Sequence, residues 1–244
     1  ALNVKEQNFD LMYEQVKALK DGKSIDKPIY NHVNGTLDTP ETVEPTPIVI
    51  IEGLHPLADS RVRELLDFSI YLDISDDIKF AWKIQRDMAE RGWTLEQVKE
   101  SIEQRKPDFS AYVEPQLGEA DVVISVVPSE TSKAEVGKHL KVKLIQVLNK
   151  VGLNPAYILD ADSTVSVHPK IAADTDSEIA LASYKTTHYG RDVHVTEMDG
   201  KLANIDDFKA IEPLISASAA KAPGDLASEL IKVGADSPGA LDGT

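Results

Sequence analysis

The chain contains no cysteine among its 244 residues. Disulfide bonds, thiolate metal sites and thiol catalysis are therefore excluded within it. It also lacks an apolar run approaching the roughly 18 residues that a membrane-spanning helix needs. Its first residues do not show the basic and then hydrophobic pattern of a signal peptide. We therefore expect neither cysteine chemistry nor a membrane address.

Positive charge is also scarce, since 26 Lys and Arg face 41 Asp and Glu and the net charge is −15. Nucleic acids and anionic membranes favour a positive surface, so this balance argues against general binding to either. It does not exclude a phosphate-bearing substrate. Charges are screened over roughly 8 Å at physiological salt, so a local group of Lys and Arg can still bind an anion.

Several motifs of well-known enzyme classes are missing from the sequence. No GxxxxGK[ST] phosphate loop occurs: Gly22-Lys23-Ser24 resembles its end, but Lys17 stands where the first glycine is required. No GxSxG nucleophile elbow is present, and the six histidines show no HExxH or similar spacing, so we reject a zinc site. The residues alone support a phosphate-handling protein without its nucleotide loop.

Strand and helix patterns alternate up to about residue 128, as they do in α/β proteins. Asn8 is a suitable cap for the first helix, and Thr94-Leu95-Glu96-Gln97 is a capping box. Gly92 and Pro107 are placed to end helices. We predict a loop or hairpin over 23–46, helices over 8–20, 59–66, 76–91 and 94–106, and strands over 47–52, 68–74 and 120–127.

The pattern of the sequence changes after residue 128. Several short stretches there alternate apolar and polar positions, which favours a half-exposed antiparallel region. This region is either an extension of the sheet or a small appended β subdomain. We therefore predict an α/β fold of one domain: a mixed sheet with parallel core strands flanked by helices and an antiparallel extension. Its parts are a core (1–128), a β-rich extension (129–205) with strands over 140–148, 156–160, 164–168, 178–185 and 193–198, and a helical or weakly ordered tail (206–244) with helices near 205–219 and 226–233.

The stretch PIVIIEGLH at 47–55 is the most informative in the chain. Its four consecutive β-branched residues suit a strand buried on both faces, with Glu52 at the carboxyl edge where open α/β sheets bind ligands. A carboxylate at that edge can hold Mg²⁺ beside phosphates, and Gly53 lets the backbone turn away. An ordinary strand followed by a capped turn is the alternative.

The predicted helix over 76–91 carries three cations on one stripe, because Lys79, Lys83 and Arg86 follow one another at helical spacing. Two interpretations remain open. The stripe is either a solvated face, with Lys83 paired to Asp87 and Arg86 to Glu90, or an anion site. Cations outside the stripe could complete such a site: Arg91, Arg105 and Lys106. The apolar periodicity predicts that another face packs on the sheet: Ile78, Ala81, Trp82, Met88 and Ala89.

The segment Tyr30-Asn31-His32 offers a second candidate contact for a polar ligand. Side chains two residues apart on an extended segment point the same way, so Tyr30 and His32 could bind sugar hydroxyls or a phosphate together. A histidine in a polar loop is also often merely exposed.

Several segments together resemble a known family: NFDLMYEQVKALK, KPIYNHVNG, IEGLHP, RVRELLDFSIYLDIS, KFAWKIQRDMAERG and IEQRKPDF. In this order they closely resemble the phosphoribulokinase family, in the form found in cyanobacteria and photosynthetic eukaryotes. The resemblance is dense over residues 6–127, looser through DSTVS at 162–166 and VTEMDG at 195–200, and faint in the tail.

The resemblance implies a P-loop-kinase fold and ATP-dependent phosphorylation of the 1-hydroxyl of ribulose 5-phosphate, with Mg²⁺, in the Calvin cycle. By motif, it implies that Glu52 lies near Mg²⁺ and that the KIQRD residues Lys83, Arg86 and Asp87 support phosphoryl transfer. It also implies sugar-phosphate contacts from four residues: Tyr30, His32, Arg91 and Arg105.

The resemblance also carries expectations about assembly. It implies a homodimer, possible association with glyceraldehyde-3-phosphate dehydrogenase through a small linker protein, and a place in the chloroplast stroma, or in the cytoplasm if the source is bacterial. Relatives carry a phosphate loop and a catalytic Asp upstream of the matching region, so we expect this chain alone to be an inactive fragment of an active kinase. Residues 167–177 lack the redox-switched Cys pair of many photosynthetic relatives, which makes thioredoxin control through it doubtful.

Two other functions remain open at this point. One is a related uridine-kinase-like enzyme that acts on a sugar or nucleoside. The other is a non-catalytic binding or assembly module that retains the sugar-phosphate site.

Overall fold

The structure is a computed structural model that describes residues 2–31, 34–131, 136–148, 150, 162–167 and 178–201. It divides into two compact units. The first unit contains the residues up to Ser69 together with Glu103–Glu119. The second contains Ile70–Ile102 together with the described residues from Ala120 onward.

The first unit begins with a 3₁₀ turn (Val4–Glu6) and helix α1 (Phe9–Lys20). Asn8 caps α1, since its side-chain oxygen accepts the backbone N–H of Leu11 at 3.0 Å. Past the end of α1, Gly22 has a φ of +75°. The predicted helix and its cap are therefore confirmed.

A two-stranded antiparallel hairpin follows, formed by β1 (Ile25–Tyr30) and β2 (Leu37–Val43). The hairpin is one of the two alternatives that the sequence predicted for 23–46, and it is confirmed. Most side chains of both strands are exposed. An ion pair of 3.0 Å between Lys27 and Glu41 links the strands.

The predicted buried strand over 47–52 is wrong, because residues 44–59 form no strand. The side chains of Ile48 and Ile50 are 80% and 87% exposed, and Glu52 is exposed as well. β-branched residues favour a strand only where neighbouring strands pair with the backbone and pack on the side chains. No described strand pairs with this stretch. The described residues therefore contain no strand–helix–strand crossover from this stretch to the strand predicted over 68–74.

Helix α2 (Ser60–Arg63) is shorter than the helix predicted over 59–66. Its N-terminal cap is Asp59, whose side chain accepts the N–H of Arg61 at 2.8 Å. The Nζ of Lys20, at the end of α1, donates to the carbonyl of Leu65 at 2.6 Å and so ties the end of this segment to α1.

A six-stranded sheet forms the second unit. Its strands lie in the order β3-β4-β5-β8-β7-β6, with β3 and β4 parallel and the other pairs antiparallel. The predicted mixed sheet and its antiparallel extension are confirmed, and the extension belongs to the same sheet. The strands are β3 (Ile70–Ile74), β4 (Val122–Pro128), β5 (Leu140–Val147), β6 (Ser163–Val167), β7 (Glu178–His188) and β8 (Arg191–Lys201).

The strand predicted over 156–160 and the helices predicted over 205–219 and 226–233 lie outside the described residues.

Helices α3 (Asp76–Arg91) and α4 (Leu95–Asp108) lie between the parallel strands β3 and β4 in the chain. The bounds of α3 agree with the prediction, and Gly92 ends it in the left-handed conformation with φ +66°. The capping box of α4 is also confirmed, because Thr94 and Gln97 exchange hydrogen bonds between backbone N–H and side chain at 2.8 and 3.3 Å.

Pro107 does not end α4, contrary to the prediction. The helix continues to Asp108 and is followed by a π-helical turn (Phe109–Val113) and a 3₁₀ helix (Glu114–Glu119). A proline removes one backbone hydrogen bond and crowds the carbonyl four residues earlier. The chain therefore keeps its helical path past Pro107, and the hydrogen-bonding pattern changes directly after it.

The hydrophobic core of the second unit lies around the central strands. Buried aliphatic side chains come from β4, β5, β7 and β8, together with Ile78 of α3 and Val98 of α4. On α3 itself, Trp82 and Met88 are exposed although the periodicity predicted them to pack inward, whereas Asp87 is buried. No described helix is long and apolar enough to cross a membrane.

A buried charge network crosses the antiparallel strands. Glu197 on β8 accepts hydrogen bonds from Tyr184 on β7 at 2.6 Å and lies 2.9 Å from the ammonium groups of Lys141 and Lys143 on β5. Burial alone would raise the pKa of Glu197, but these three donors outweigh it and lower the pKa to about 2. Burial and the bond to Glu197 raise the pKa of Tyr184 to about 12.

A second polar pair is buried in the same sheet. The Ser183 hydroxyl and Nε2 of His194 lie 2.8 Å apart, and both side chains are almost completely buried. Burial lowers the pKa of His194, and the charge of Lys185 lowers it further. The histidine is therefore held neutral in the folded protein.

We expect the free energy of unfolding to decrease as the pH falls from about 7.5 to 5.5, because His194 binds a proton more readily in the unfolded chain than in the folded protein. The contribution of His194 to the free energy of unfolding is complete above its unfolded pKa of about 6.5. Below that pH the contribution falls by at most about 1.4 kcal/mol per pH unit. Urea unfolding at several pH values measures it, and His194→Gln should flatten the dependence.

Part of the dependence should survive in His194→Gln, because burial also lowers the pKa of His188. Lys185→Gln is the matched variant. Because the charge of Lys185 lowers the pKa of His194, this variant should also flatten the pH dependence, by a smaller amount than His194→Gln. An unchanged slope in His194→Gln would contradict the assignment.

Candidate active site

Three cations of α3 surround one buried carboxylate. Nζ of Lys83 lies 2.5 Å from Asp87, and guanidinium nitrogens of Arg86 and Arg91 lie 2.8 and 3.3 Å from it. The side chain of Asp87 is 0% exposed, whereas those of Arg86 and Arg91 are half-exposed. The cluster therefore contains three positive charges and one negative charge. Its excess positive charge lies on the side chains that reach solvent.

Helical spacing explains how the cluster forms. Lys83 and Arg91 lie four residues before and after Asp87, so both side chains reach it along one face of α3. Gly92 then reverses the chain, and the N–H of Trp93 donates to the carbonyl of Asp87 at 3.2 Å. This turn places the ammonium of Lys83 5.8 Å from the centre of the Trp93 ring, a cation–π contact.

The electrostatics keep the cluster charged. The hydrogen bond from Lys83 is the main cause that lowers the pKa of Asp87; burial opposes this effect, and Arg86 reinforces it. Asp87 therefore stays ionised near neutral pH and orients the surrounding donors. Guanidinium groups held in this way can bind phosphate oxygens through donors that Asp87 does not use.

The predicted pair between Lys83 and Asp87 is confirmed, but Arg86 pairs with Asp87 instead of Glu90. Lys79, the third residue of the predicted stripe, pairs with Asp76 at 2.7 Å and does not join the cluster. The three cations of the stripe are therefore salt-bridged, as the first interpretation predicts. Arg86 is still half-exposed, and the anion site stays a prediction.

Tyr30 lies at the end of β1, in the exposed tip of the hairpin. The neighbouring Asn31 fixes this tip, because its Nδ2 donates to the carboxylate of Asp38 at 3.1 Å and its backbone N–H donates to Thr36. Gly35 closes the turn with a φ of +75°. His32 lies outside the described residues.

Glu52 lies in the irregular segment before α2 and not at a strand tip. It is exposed, and Gly53 directly after it adopts a φ of +157° that other residues rarely adopt, so the predicted change of backbone direction is present. Arg105 is exposed on α4, while the adjacent Lys106 pairs with Glu103 at 2.6 Å.

A magnesium ion could use Glu52 as one ligand. In the described part of the chain, no group of three or more acidic or histidine side chains could hold a metal by itself. Mg²⁺ is usually held by one or two carboxylates together with substrate phosphates and water, so a single exposed carboxylate fits that mode.

The structure thus gathers Lys83, Arg86, Asp87 and Arg91 into one site in the second unit. Tyr30, Glu52 and Arg105 belong to the first unit. Sequence reasoning missed Trp93, although the glycine before it signalled a reversal of the chain that could bring an aromatic ring back onto the helix.

The arrangement of strands and helices matches that of a solved protein. The structure resembles that of phosphoribulokinase from Rhodobacter spheroides with a TM-score of 0.54, over 88% of this chain and 74% of that one. The sequence identity is 16%, so this likeness establishes the fold alone.

The sequence then identifies the family. The profile of the Phosphoribulokinase / Uridine kinase family matches residues 1–133. The chain is similar over its full length to the chloroplastic phosphoribulokinase of Chlamydomonas reinhardtii, with 50% identity, and to the phosphoribulokinase of Synechocystis, with 47%. It covers 65% of the former and 74% of the latter. The chain belongs to the phosphoribulokinase/uridine kinase family.

We expect Asp87→Asn to destabilise the protein by about 1–3 kcal/mol, because the variant leaves three neighbouring cations without their common counter-ion. This loss is smaller than the usual one for a buried ion pair, since two of the cations are half-exposed and screened by solvent. Thermal unfolding measures the loss, and added inorganic phosphate should restore more stability to the variant than to the wild type.

Glu103→Gln is the control for this prediction, because it removes the partner of an exposed lysine and should change stability by less than about 0.5 kcal/mol. Equal stability of Asp87→Asn and the wild type would show that the buried carboxylate does not hold the cluster.

Proposed function

We propose that the enzyme carrying this sequence transfers the γ-phosphoryl group of ATP to the 1-hydroxyl of ribulose 5-phosphate and forms ribulose 1,5-bisphosphate in the Calvin cycle. The cluster of Lys83, Arg86 and Arg91 around Asp87 is the observation that carries the proposal. Phosphoryl transfer needs little covalent chemistry from the protein and depends on positioning and on neutralisation of charge. Cations held in place before the reaction supply both.

Each residue has a distinct proposed role. Lys83 and Arg86 stabilise the negative charge on the phosphoryl group in transfer, and Asp87 holds them in place. Arg91 binds the phosphate of the sugar. By the family resemblance, three further residues are proposed to contact the sugar phosphate: Tyr30, His32 and Arg105.

Glu52 is the proposed protein ligand of Mg²⁺. The ion, when bound, would neutralise charge between the phosphates of ATP. The chain's own contribution there is an exposed carboxylate after which the backbone turns sharply at Gly53.

Two substitutions separate these roles. We expect Arg86→Ala to lower kcat about 10²–10³-fold, because it removes charge stabilisation in the transition state. We expect Arg91→Ala mainly to raise KM for ribulose 5-phosphate, by roughly tenfold or more, since a charged hydrogen bond to the bound sugar is lost. Steady-state kinetics of the enzyme that carries this sequence measure both.

Lys79→Ala is the matched control, because Lys79 is a cation of the same helix that pairs with Asp76 outside the cluster. It should retain wild-type kinetics. Circular dichroism establishes that each variant is folded, and unchanged kinetics in both arginine variants would refute their roles.

Uridine phosphorylation is the second candidate, since the matching family description includes uridine kinases. The similarity to phosphoribulokinases extends over the full chain, which favours the sugar phosphate. Turnover assays with ribulose 5-phosphate and with uridine distinguish the two. Preference for uridine would overturn the proposed substrate.

A binding or assembly role is also testable with the 244-residue chain itself. Calorimetric binding of ribulose 5-phosphate without binding of ATP would favour a sugar-phosphate module. By similarity, we propose a homodimer that associates with glyceraldehyde-3-phosphate dehydrogenase through a small linker protein, in the chloroplast stroma or a bacterial cytoplasm. Sedimentation with and without those partners tests the assembly.

A further inference from the structure

One buried glutamine of the first unit uses its whole carboxamide group in hydrogen bonds. Gln116, in the 3₁₀ helix after the π-helical turn, is 4% exposed. Its Oε1 accepts the N–H of Leu57 at 3.0 Å, and its Nε2 donates to the carbonyls of Leu54 at 2.9 Å and Tyr112 at 2.8 Å. A carboxamide offers two N–H donors and one acceptor oxygen, so every part of this group is engaged.

Two of these bonds hold the short turn 54–57, which begins two residues after Glu52. The bonded groups, the carbonyl of Leu54 and the N–H of Leu57, lie at the two ends of the turn. Arg63 secures the far side, because its NH1 donates to the carbonyl of Leu57 at 2.6 Å. The turn is therefore fixed by side chains and not by a regular strand or helix.

The same turn contains a feature that stability alone would not favour. The ring of His55 is 4% exposed, and neither of its nitrogens has a hydrogen-bond partner among the described residues. Buried polar groups are usually paired, so this turn is held in a conformation that carries a desolvation cost. Such conflicts between a local feature and stability are expected near functional sites.

The position of Glu52 depends on this turn. Its carboxylate is exposed, and no described side chain forms an ion pair or hydrogen bond with it. The backbone alone therefore sets where its side chain begins and which region the carboxylate can reach. Beyond Gly53, whose φ of +157° restricts the path, the first anchor is the bond from Gln116 to the carbonyl of Leu54.

We infer that Gln116 is a positioning residue, which fixes the turn 54–57 and through it the backbone position from which the Glu52 carboxylate reaches a divalent cation. This inference rests on the proposed function, in which Glu52 is the ligand of Mg²⁺. Gln116 itself does not touch the ion or the substrate; it acts through the backbone between Leu54 and Glu52.

Gln116→Met tests the inference, because methionine matches the length of glutamine but cannot form its hydrogen bonds. In the enzyme that carries this sequence, we expect the Mg²⁺ concentration for half-maximal activity to rise about 10-fold, as for other residues that support a metal ligand. KM for ribulose 5-phosphate should change little. The affinity for Mn²⁺, measured by electron paramagnetic resonance with ATP present, should fall by a similar factor.

Two further variants complete the experiment. Gln97→Met is the matched control, because Gln97 is an exposed glutamine whose side chain only caps α4, and it should keep wild-type metal dependence. Glu52→Gln is the reference for loss of the ligand and should weaken Mn²⁺ binding at least as much as Gln116→Met. If Gln116→Met does not fold, Gln116→Glu replaces it, since it keeps an acceptor for Leu57 but cannot donate to Leu54 when ionised.

The outcomes separate this inference from the proposed function. Wild-type metal dependence in folded Gln116→Met or Gln116→Glu, with Glu52→Gln impaired, overturns the positioning role and leaves the function intact. Wild-type metal dependence in Glu52→Gln removes the ligand and overturns the inference with it. Failure of the wild type to phosphorylate ribulose 5-phosphate refutes the function, and Mn²⁺ affinity then decides the inference by itself.

Discussion

The buried carboxylate of Asp87 is the constraint on which the candidate site depends. Three cations on one helix repel one another, so a stable arrangement needs a counter-charge within reach of all three. Asp87 provides it from the same helix, with its side chain fully buried and its pKa lowered chiefly by the hydrogen bond from Lys83. Because this carboxylate is shielded from water, it orders the cations while Arg86 and Arg91 still reach solvent. The helix therefore carries three cations fixed around one acid, which is the basis of the proposed anion site.

Elements defined by local signals were predictable from the sequence. The bounds of α3, its terminating Gly92 and the capping box of α4 depend on residues within one or two helical turns, and the structure confirms them. The conformation of residues 47–52 was not predictable in this way, because a strand forms only where a distant part of the chain pairs with it. The β-branched residues there favour a strand, but no neighbouring strand pairs with them, and Ile50 is exposed.

The candidate site was predictable as a set of residues and less so as a geometry. Helical spacing indicated that Lys83 pairs with Asp87, but apolar periodicity placed Trp82 and Met88 inside and said nothing of a buried acid. The environment of Asp87 depends on the chain reversal after α3, which returns Trp93 to the helix. Gln116 carried no sequence signal, because its role comes from a turn some sixty residues earlier in the chain.

The π-helical turn between α4 and the 3₁₀ helix limits how this part of the chain can vary during evolution. Each residue of a helix rotates the following chain about the helix axis, so one inserted or deleted residue in 109–113 would turn Gln116 away from the turn it holds. Substitutions that keep the number of residues in 109–113 leave the direction of the Gln116 side chain unchanged. We therefore expect sequence variation in this segment to consist of substitutions and not of insertions or deletions, even where the side chains are exposed.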